Sequence, residues 1–329
     1  MTSKSTQQQS SDLRGRRIWV AGHRGMVGSA IVRRLGRDEC KILTVGRDEL
    51  DLRRPQDVEA WMAAEQPEFV FIAAATVGGI HANAARPADF IYDNLMIEAN
   101  IINAAWQTRV RKLLFLGSSC IYPRDAAQPM SEEALLTGPL EATNQWYAIA
   151  KIAGIRLCQA YRRQHGCDFI SAMPTNLYGP GDNFDLESGH VIPALMVKID
   201  QAKRTGGSAV EIWGSGRPRR EFLYCDDLAD ALVFLMRHYS GESHVNIGTG
   251  TDVTIREVAE LLAEVIGYKG RFVYDPQRPD GTPRKLLDVG RLHQLGWRAA
   301  TPLREGLEKT YRWFKETPHA RGRTATQAA

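Results

Sequence analysis

The sequence predicts an α/β fold in which a parallel sheet is wound on both sides by helices. Three observations predict it. Short apolar runs at Arg17–Ala21, Lys41–Val45, Phe69–Ala73, Lys112–Leu116 and Asp168–Met173 alternate with helical patterns. Runs that are continuously apolar read as strands buried on both faces. The turn Gly22-His23-Arg24-Gly25-Met26-Val27-Gly28 stands between the first run and a helical pattern over 29–35. Strand, glycine turn and helix in that order make a phosphate cradle, because glycine admits close backbone approach and a helix N-terminus favours anions. The fourth run ends in Gly117-Ser118-Ser119-Cys120, which delivers hydroxyls and a thiol to the carboxyl edge of the sheet. Open α/β sheets bind ligands at that edge. Together these define a Rossmann-type doubly wound sheet over residues 15–180. A looser pattern over 181–316 predicts a smaller C-terminal α/β region for substrate, with disordered tails at 1–14 and 317–329.

Composition bounds the function. The 329 residues are 43% hydrophobic and 24% charged, enough to bury a sizeable core. Net charge is +4, with arginine pairs scattered and no basic stripe, which argues against nucleic-acid binding. Five cysteines without Cys-x-x-Cys spacing predict reduced thiols in a cytoplasm, no disulfide framework and no zinc site. The eight histidines lack ligand spacing, so no metal is expected. No apolar run reaches membrane length, and the first fourteen residues lack a signal-peptide core.

In order, the second strand ends in Gly46-Arg47 where an NAD-selecting acid would stand. Arg47, helped by Arg24, can bind a 2′-phosphate, so NADP(H) is the expected cofactor; Asp48 and Asp51 weigh against it. Pro55–Glu65 reads as a helix with proline at its first position. The third strand ends in Ala73-Ala74-Ala75, small enough for a cofactor to pass. A long helix over Asp89–Trp106 carries Ile91, Leu95, Ile102 and Ala105 on one side. A second runs from Tyr147 to His165, and the fifth strand leads into a turn-rich loop, 174–181. Further helices are expected at 191–203, 227–238, 255–266 and 303–315, and strands at 210–213, 221–224 and 271–274. The first strands of this half are expected to extend the sheet. Thr254 and Glu257 form a capping box, and Gly267 stops that helix.

Tyr147 and Lys151 are four residues apart and share a helix face. An ammonium beside a phenol lowers its pKa, and Ser118 can share a hydrogen bond with a carbonyl. Alone, a Tyr-x-x-x-Lys pair is more often a surface feature and a Gly-Ser-Ser more often a turn. Their order behind a dinucleotide turn favours a proton donor for a carbonyl under reduction.

Seven blocks then resemble the extended short-chain dehydrogenase/reductases and, within them, the GDP-L-fucose synthase family. They are residues 22–30, 73–80, 116–123, 147–151, 173–180, 188–195 and 280–285, and the likeness spans roughly 16–316. The resemblance implies 3,5-epimerisation of a GDP-4-keto-6-deoxy sugar followed by NADPH-dependent reduction at C4. It implies Cys120 as base and His190 as acid for epimerisation, with Ser118, Tyr147 and Lys151 serving reduction. Read alone, Cys120 would be an inert thiol and His190 a helix cap. The implied cofactor contacts are the turn from Gly22 to Gly28, Arg47, Ala74, Leu116, Gly117, Ser118, Tyr147, Lys151, Pro174, Asn176, Leu177 and His190. Asn176, Lys198, Trp213, Arg220 and Asp280 are implied to hold the GDP-sugar; of these, Trp213 is the one whose plain reading is a core residue. A homodimer through the two long helices is implied as well.

Ala142, Trp146 and Tyr224-Cys225 depart from residues common in that family, which leaves the sugar open. A 4,6-dehydratase would want an Asp-Glu pair where Ser119-Cys120 stands. A UDP-sugar 4-epimerase has no use for a Cys/His pair, and a non-catalytic NADPH sensor should have lost Tyr147 or Lys151.

Overall fold

The computed structural model describes residues 12–186, 189–277 and 280–317. Ser188, one position of the quoted blocks, and most of both expected tails lie outside that set. Leu13, assigned above to the first tail, is instead fully buried in the core, and the Gly15 amide donates to the Glu39 carbonyl at 2.9 Å. An apolar side chain beside a sheet gains more from burial than its short segment loses in chain entropy.

The first half runs β1 (Arg17–Ala21), α1 (Met26–Leu35), β2 (Lys41–Leu43), α2 (Pro55–Glu65), β3 (Phe69–Ile72), α3 (Ile80–Ala85), α4 (Pro87–Gln107), β4 (Lys112–Leu116), α5 (Gln145–His165), β5 (Phe169–Pro174) and β6 (Asn176–Tyr178). The second half runs α6 (Val191–Thr205), β7 (Ala209–Trp213), β8 (Arg219–Arg220), β9 (Phe222–Tyr224), α7 (Cys225–His238), β10 (Val245–Ile247), β11 (Val253–Thr254), α8 (Ile255–Ile266), β12 (Arg271–Asp275), β13 (Arg284–Lys285), α9 (Gly290–Leu295) and α10 (Leu303–Glu316).

Six strands form a parallel sheet in the order β10-β5-β4-β3-β1-β2. Side chains alternate along each strand, so one apolar run feeds two cores. Ile18 and Val20 of β1 join the core under α1 and α7, while Trp19 and Ala21 join the core under α2, α4 and α5. The strand order reverses between β1 and β3, which opens a crevice beyond their carboxyl ends.

The second half is threaded back into this sheet. Only β10 extends it; β7 pairs with β12, β9 with β6, and β8 lies between β11 and β13. The expected strand over 221–224 begins one residue later, as β9, with Glu221 turning its carboxylate into the fold. It accepts from the Gly250 amide at 2.7 Å and the Leu287 amide at 3.0 Å. The capping box on α8 forms in both directions, and Gly267 takes a left-handed φ of 76°. On α4, Ile97, Ile101, Ile102 and Ala105 are buried, whereas Ile91 and Leu95 stay half-buried. Among the described residues, no helix is long and apolar enough to cross a membrane.

Candidate active site

The glycine turn is shaped by contact. Gly22 has φ 86°, and a Cβ there would lie 2.6 Å from the Ala74 nitrogen, so the ends of β1 and β3 touch. A Cβ at Gly28 would lie 2.0 Å from the Gly22 carbonyl oxygen. Helix α1 begins at Met26, three residues earlier than the side-chain pattern implied, and Gly25 caps it without a side-chain hydrogen bond. Its first helical bond is Ser29 N–H to the Gly25 carbonyl, 2.9 Å. The preceding amides have no acceptor within the helix and are free for a diphosphate. The residues therefore fit a dinucleotide.

Arg24 and Arg47 are both exposed at the end of β2. Arg24 Nη1 sits 3.0 Å from Asp48 Oδ1. A Cβ at Gly46 would meet Asp48 Oδ1 at 2.3 Å and Arg24 Nη2 at 2.5 Å, so the pair lies flat over Gly46.

Strand β4 stops at Leu116, and Ser119–Ile121 form a 3-10 turn. The strand alternation that would point Ser118 and Cys120 the same way is thus broken. The turn instead ties them together: Ser118 Oγ accepts from the Cys120 amide at 3.5 Å. Gly117 permits the bend, since a Cβ there would meet Met173 Cε at 2.2 Å.

Helix α5 brings Tyr147 and Lys151 to this turn. It lies close to the sheet because Gly154 faces the Phe115 ring, where a Cβ would fall 2.3 Å from Cζ. Lys151 is 2% exposed. Its Nζ is 4.7 Å from the Phe115 ring centroid and 5.7 Å from that of Tyr147. Glu98 of α4 stands behind it, with Oε2 3.9 Å from Nζ.

Electrostatics corrects one expectation, that Lys151 lowers the Tyr147 pKa. Burial, then Cys120, then Glu98, push the Tyr147 phenol well above its ordinary value, so Lys151 does not lower it here. The reason is placement: the ammonium lies over aromatic faces and beside Glu98. Tyr147 is therefore a protonated phenol. Burial also pushes the Cys120 thiol up, against the pull of Lys285, the Ser118 hydrogen bond and Lys151, so the thiol is not poised near neutrality. Burial lowers the Lys151 pKa, with Glu98 and Cys120 opposing.

His190 caps α6 and is half exposed, with Nδ1 3.8 Å from Asp182 Oδ1. That contact raises its pKa. Among the described residues, no hydrogen bond or ion pair joins it to the cluster of Ser118, Cys120, Tyr147 and Lys151.

The implied sugar-nucleotide contacts fall on the second half. Trp213 is 42% exposed rather than core, and Lys198 Nζ lies 4.8 Å from its ring centroid. Asp280 accepts from Ser215 through its amide at 2.6 Å and its hydroxyl at 2.7 Å. Arg220 is half-buried within the field of Asp280, and burial lowers its pKa. Asn176 Nδ2 donates to the Glu221 carbonyl at 2.8 Å, fixing the loop after Pro174 beside Leu177. Sequence reasoning passed over Lys285 and Glu98. Lys285 shares a crevice with Cys120, Glu141 and Asn144, and its signal was the Asp280–Lys285 block itself. Glu98 gave none, being one of three acids on an otherwise ordinary helix.

The NAD dependent epimerase/dehydratase family matches residues 18–248. The chain is 59% identical over 302 residues to a GDP-L-fucose synthase of Sinorhizobium fredii, covering 92% of this chain and 96% of that one. It is 55% identical over 310 residues to a GDP-L-fucose synthase of Escherichia coli K12, covering 91% and 97%. In structure it is similar to a GDP-L-fucose synthetase from Naegleria fowleri bound to NADP, with a TM-score of 0.88, 29% identity, and 95% and 99% coverage. The fold, the glycine turn and these likenesses define a nicotinamide-dinucleotide-dependent enzyme of the oxidoreductase and epimerase class. The chain belongs to the NAD dependent epimerase/dehydratase family, and within it groups with the GDP-L-fucose synthases.

Proposed function

We propose that this enzyme converts GDP-4-keto-6-deoxy-D-mannose to GDP-L-fucose by epimerising C3 and C5 and then reducing C4. The observation that carries this reading is the thiol in the turn: Cys120 is one hydrogen bond from Ser118 and within the field of Lys151. A plain reductase needs no thiol there. The C4 ketone acidifies the protons at C3 and C5, because the enolate shares the charge. Cys120, as thiolate, removes each proton, and His190 returns one to the opposite face. The buried thiol makes deprotonation the costly part, and Lys285, Ser118 and Lys151 reduce that cost.

The turn from Gly22 to Gly28, Arg24, Arg47, Ala74 and the end of β4 hold NADP(H) in this reading. When bound, the dinucleotide supplies the hydride that reduces C4. Ser118 then donates a hydrogen bond to the C4 oxygen, Tyr147 gives it a proton, and Lys151 orients the phenol. Trp213 stacks on the guanine, Arg220 meets the diphosphate, and Lys198, Asn176 and Asp280 complete the nucleotide-sugar site. Five free thiols suit a reducing cytoplasm. Tyr92, Trp106, Trp146 and Ile149 are exposed on α4 and α5, which supports a homodimer through these helices.

A second reading has one observation in its favour. The chain is also 40% identical to a GDP-L-colitose synthase of Yersinia pseudotuberculosis, so a different GDP-4-keto-6-deoxy sugar is the alternative substrate.

The test is exchange in deuterium oxide without NADPH. Wild type incorporates deuterium at C3 and C5. Cys120→Ser loses this by on the order of 10²-fold or more while binding NADPH normally. Undiminished exchange in that variant would refute the base assignment.

A further inference from the structure

Glu98 is a buried acid that the reaction above does not use. It is 1% exposed, sealed between α4 and α5. Neither carboxylate oxygen makes a hydrogen bond of good geometry among the described residues, although the Gly154 amide comes close enough to lower its pKa. A buried carboxylate is ordinarily wrapped in donors, because desolvated charge without them is expensive. Here the neighbour is Lys151 Nζ, 3.9 Å away, in Coulombic range but beyond a hydrogen bond. Lys151 is itself 2% exposed and likewise lacks a closer anion among the described residues. A structural ion pair would close to contact; one held open inside a catalytic helix packing suggests that a proton moves across it.

The groups facing Glu98 are few. From α5 come Lys151, Tyr147 and Cys158, the last two being pushed up in pKa partly by Glu98. The Gly154 amide of α5 adds a weak downward pull on Glu98. From the turn after β4 comes Cys120, which acts on Tyr147 and Lys151. Burial raises the Glu98 carboxyl to about 7, so near neutrality it is divided between acid and anion.

We propose that Glu98 is a positioning residue for the reduction step: its carboxyl holds the Lys151 side chain beside Tyr147 and returns to Lys151 the proton that Tyr147 draws. This rests on the roles given above to Tyr147 and Lys151. Tyr147 O–H gives its proton to the C4 oxygen and becomes a phenolate. The phenolate takes a proton from the Lys151 ammonium, leaving a neutral amine. The Glu98 carboxylic acid passes its proton to that amine. The pair ends as carboxylate and ammonium, and before the next turnover a solvent proton enters at Tyr147, the half-buried member of the chain, and passes by Lys151 to Glu98.

The test is Glu98→Gln, which keeps the shape and cannot titrate. Tyr147→Phe is measured beside it. With NADPH and the keto-sugar, wild-type reduction declines with a limb near pH 7, as the acid form of Glu98 is lost. In Glu98→Gln, the reductive kcat falls by roughly 10- to 100-fold and the limb disappears. NADPH affinity and deuterium exchange at C3 and C5, which depend on Lys151 only through its charge, fall far less than the reductive kcat. A simple packing defect would lower these together and would leave the limb in place. A wild-type kcat and limb in Glu98→Gln, with Tyr147→Phe inactive in reduction, would overturn this proposal alone. Full reduction by Tyr147→Phe would overturn the site reading and the proposal with it. Should Glu98→Gln fail to fold, a wild-type profile without the limb would contradict the proposal.

Discussion

At the level of single residues, the cluster proposed to move protons starts from neutral groups. Cys120 and Tyr147 are both raised by burial, so the resting site holds a thiol and a phenol. His190, the proposed acid, is raised by Asp182. A raised imidazole stays protonated to higher pH, and it loses that proton as pH rises through its folded value. Asp182→Asn removes the cause. The alkaline limb of deuterium exchange should then move to lower pH, with NADPH reduction of a pre-epimerised substrate unchanged. A limb that stays in place would mean that another group returns the proton. Residue types in this cluster were legible in the sequence; their protonation was not. The spacing of Tyr147 and Lys151 specified a shared helix face, but whether the ammonium reached the hydroxyl depended on Phe115 and Glu98, which lie on other elements. Trp213 shows the reverse case, since its exposure on β7 could not be read from a run that also suits a core strand.

Elements position these residues through close approach, and Gly154 is the clearest instance. Alanine there would gain about 1 kcal/mol in helix propensity. Its Cβ, however, would fall 2.3 Å from the Phe115 ring, and Phe115 is fully buried with nowhere to shift. Overpacking of this kind costs about 1–3 kcal/mol, so it wins or at best breaks even. Gly154→Ala should lower Tm and also lower the reductive kcat, because α5 carries Tyr147 and Lys151 away from β4. A variant with raised Tm and full activity would show that the helix has room. The long, periodic elements were readable: β1, α2, β4 and α8 have the boundaries their patterns predicted. The 3-10 turn after β4, the short β6, β10 and α9, and the pairing of β7 with β12 were not. Unlike the continuously apolar runs of β1 and β4, these short segments carry no apolar run or period of their own, and their form is set by partners distant in sequence.

Across the whole molecule, one polar network ties the second half to the loop after β4. Tyr122, two residues past Cys120, contacts His244 Nε2 at 3.0 Å and donates to Asn246 Oδ1 at 2.5 Å. The Asn246 amide donates to Glu132 Oε1 at 3.1 Å, and Arg291 Nη1 donates to the His244 carbonyl at 2.8 Å. Burial lowers the His244 pKa from 6.5 to about 4. Below 6.5 the unfolded chain takes up this proton and the folded one does not, so stability falls as pH drops through that window. The loss amounts to about 3 kcal/mol by pH 4. Denaturant titrations of wild type and His244→Gln should show the variant with a shallower acid slope. Equal slopes would exclude His244 as the source. The exposed faces of α4 and α5 make a second prediction at this scale. Ile149→Glu should turn a dimer into a monomer in sedimentation, whereas a wild-type monomer would remove the dimer from consideration.

One measurement tests the central claim most directly: NADPH consumption with GDP-4-keto-6-deoxy-D-mannose, with the product sugar identified by NMR. Epimerisation followed by reduction predicts a 6-deoxy-L-galacto product and one NADPH oxidised per sugar. Oxidation that yields GDP-D-rhamnose or its C4 epimer would mean reduction without epimerisation, and would contradict the roles given to Cys120 and His190.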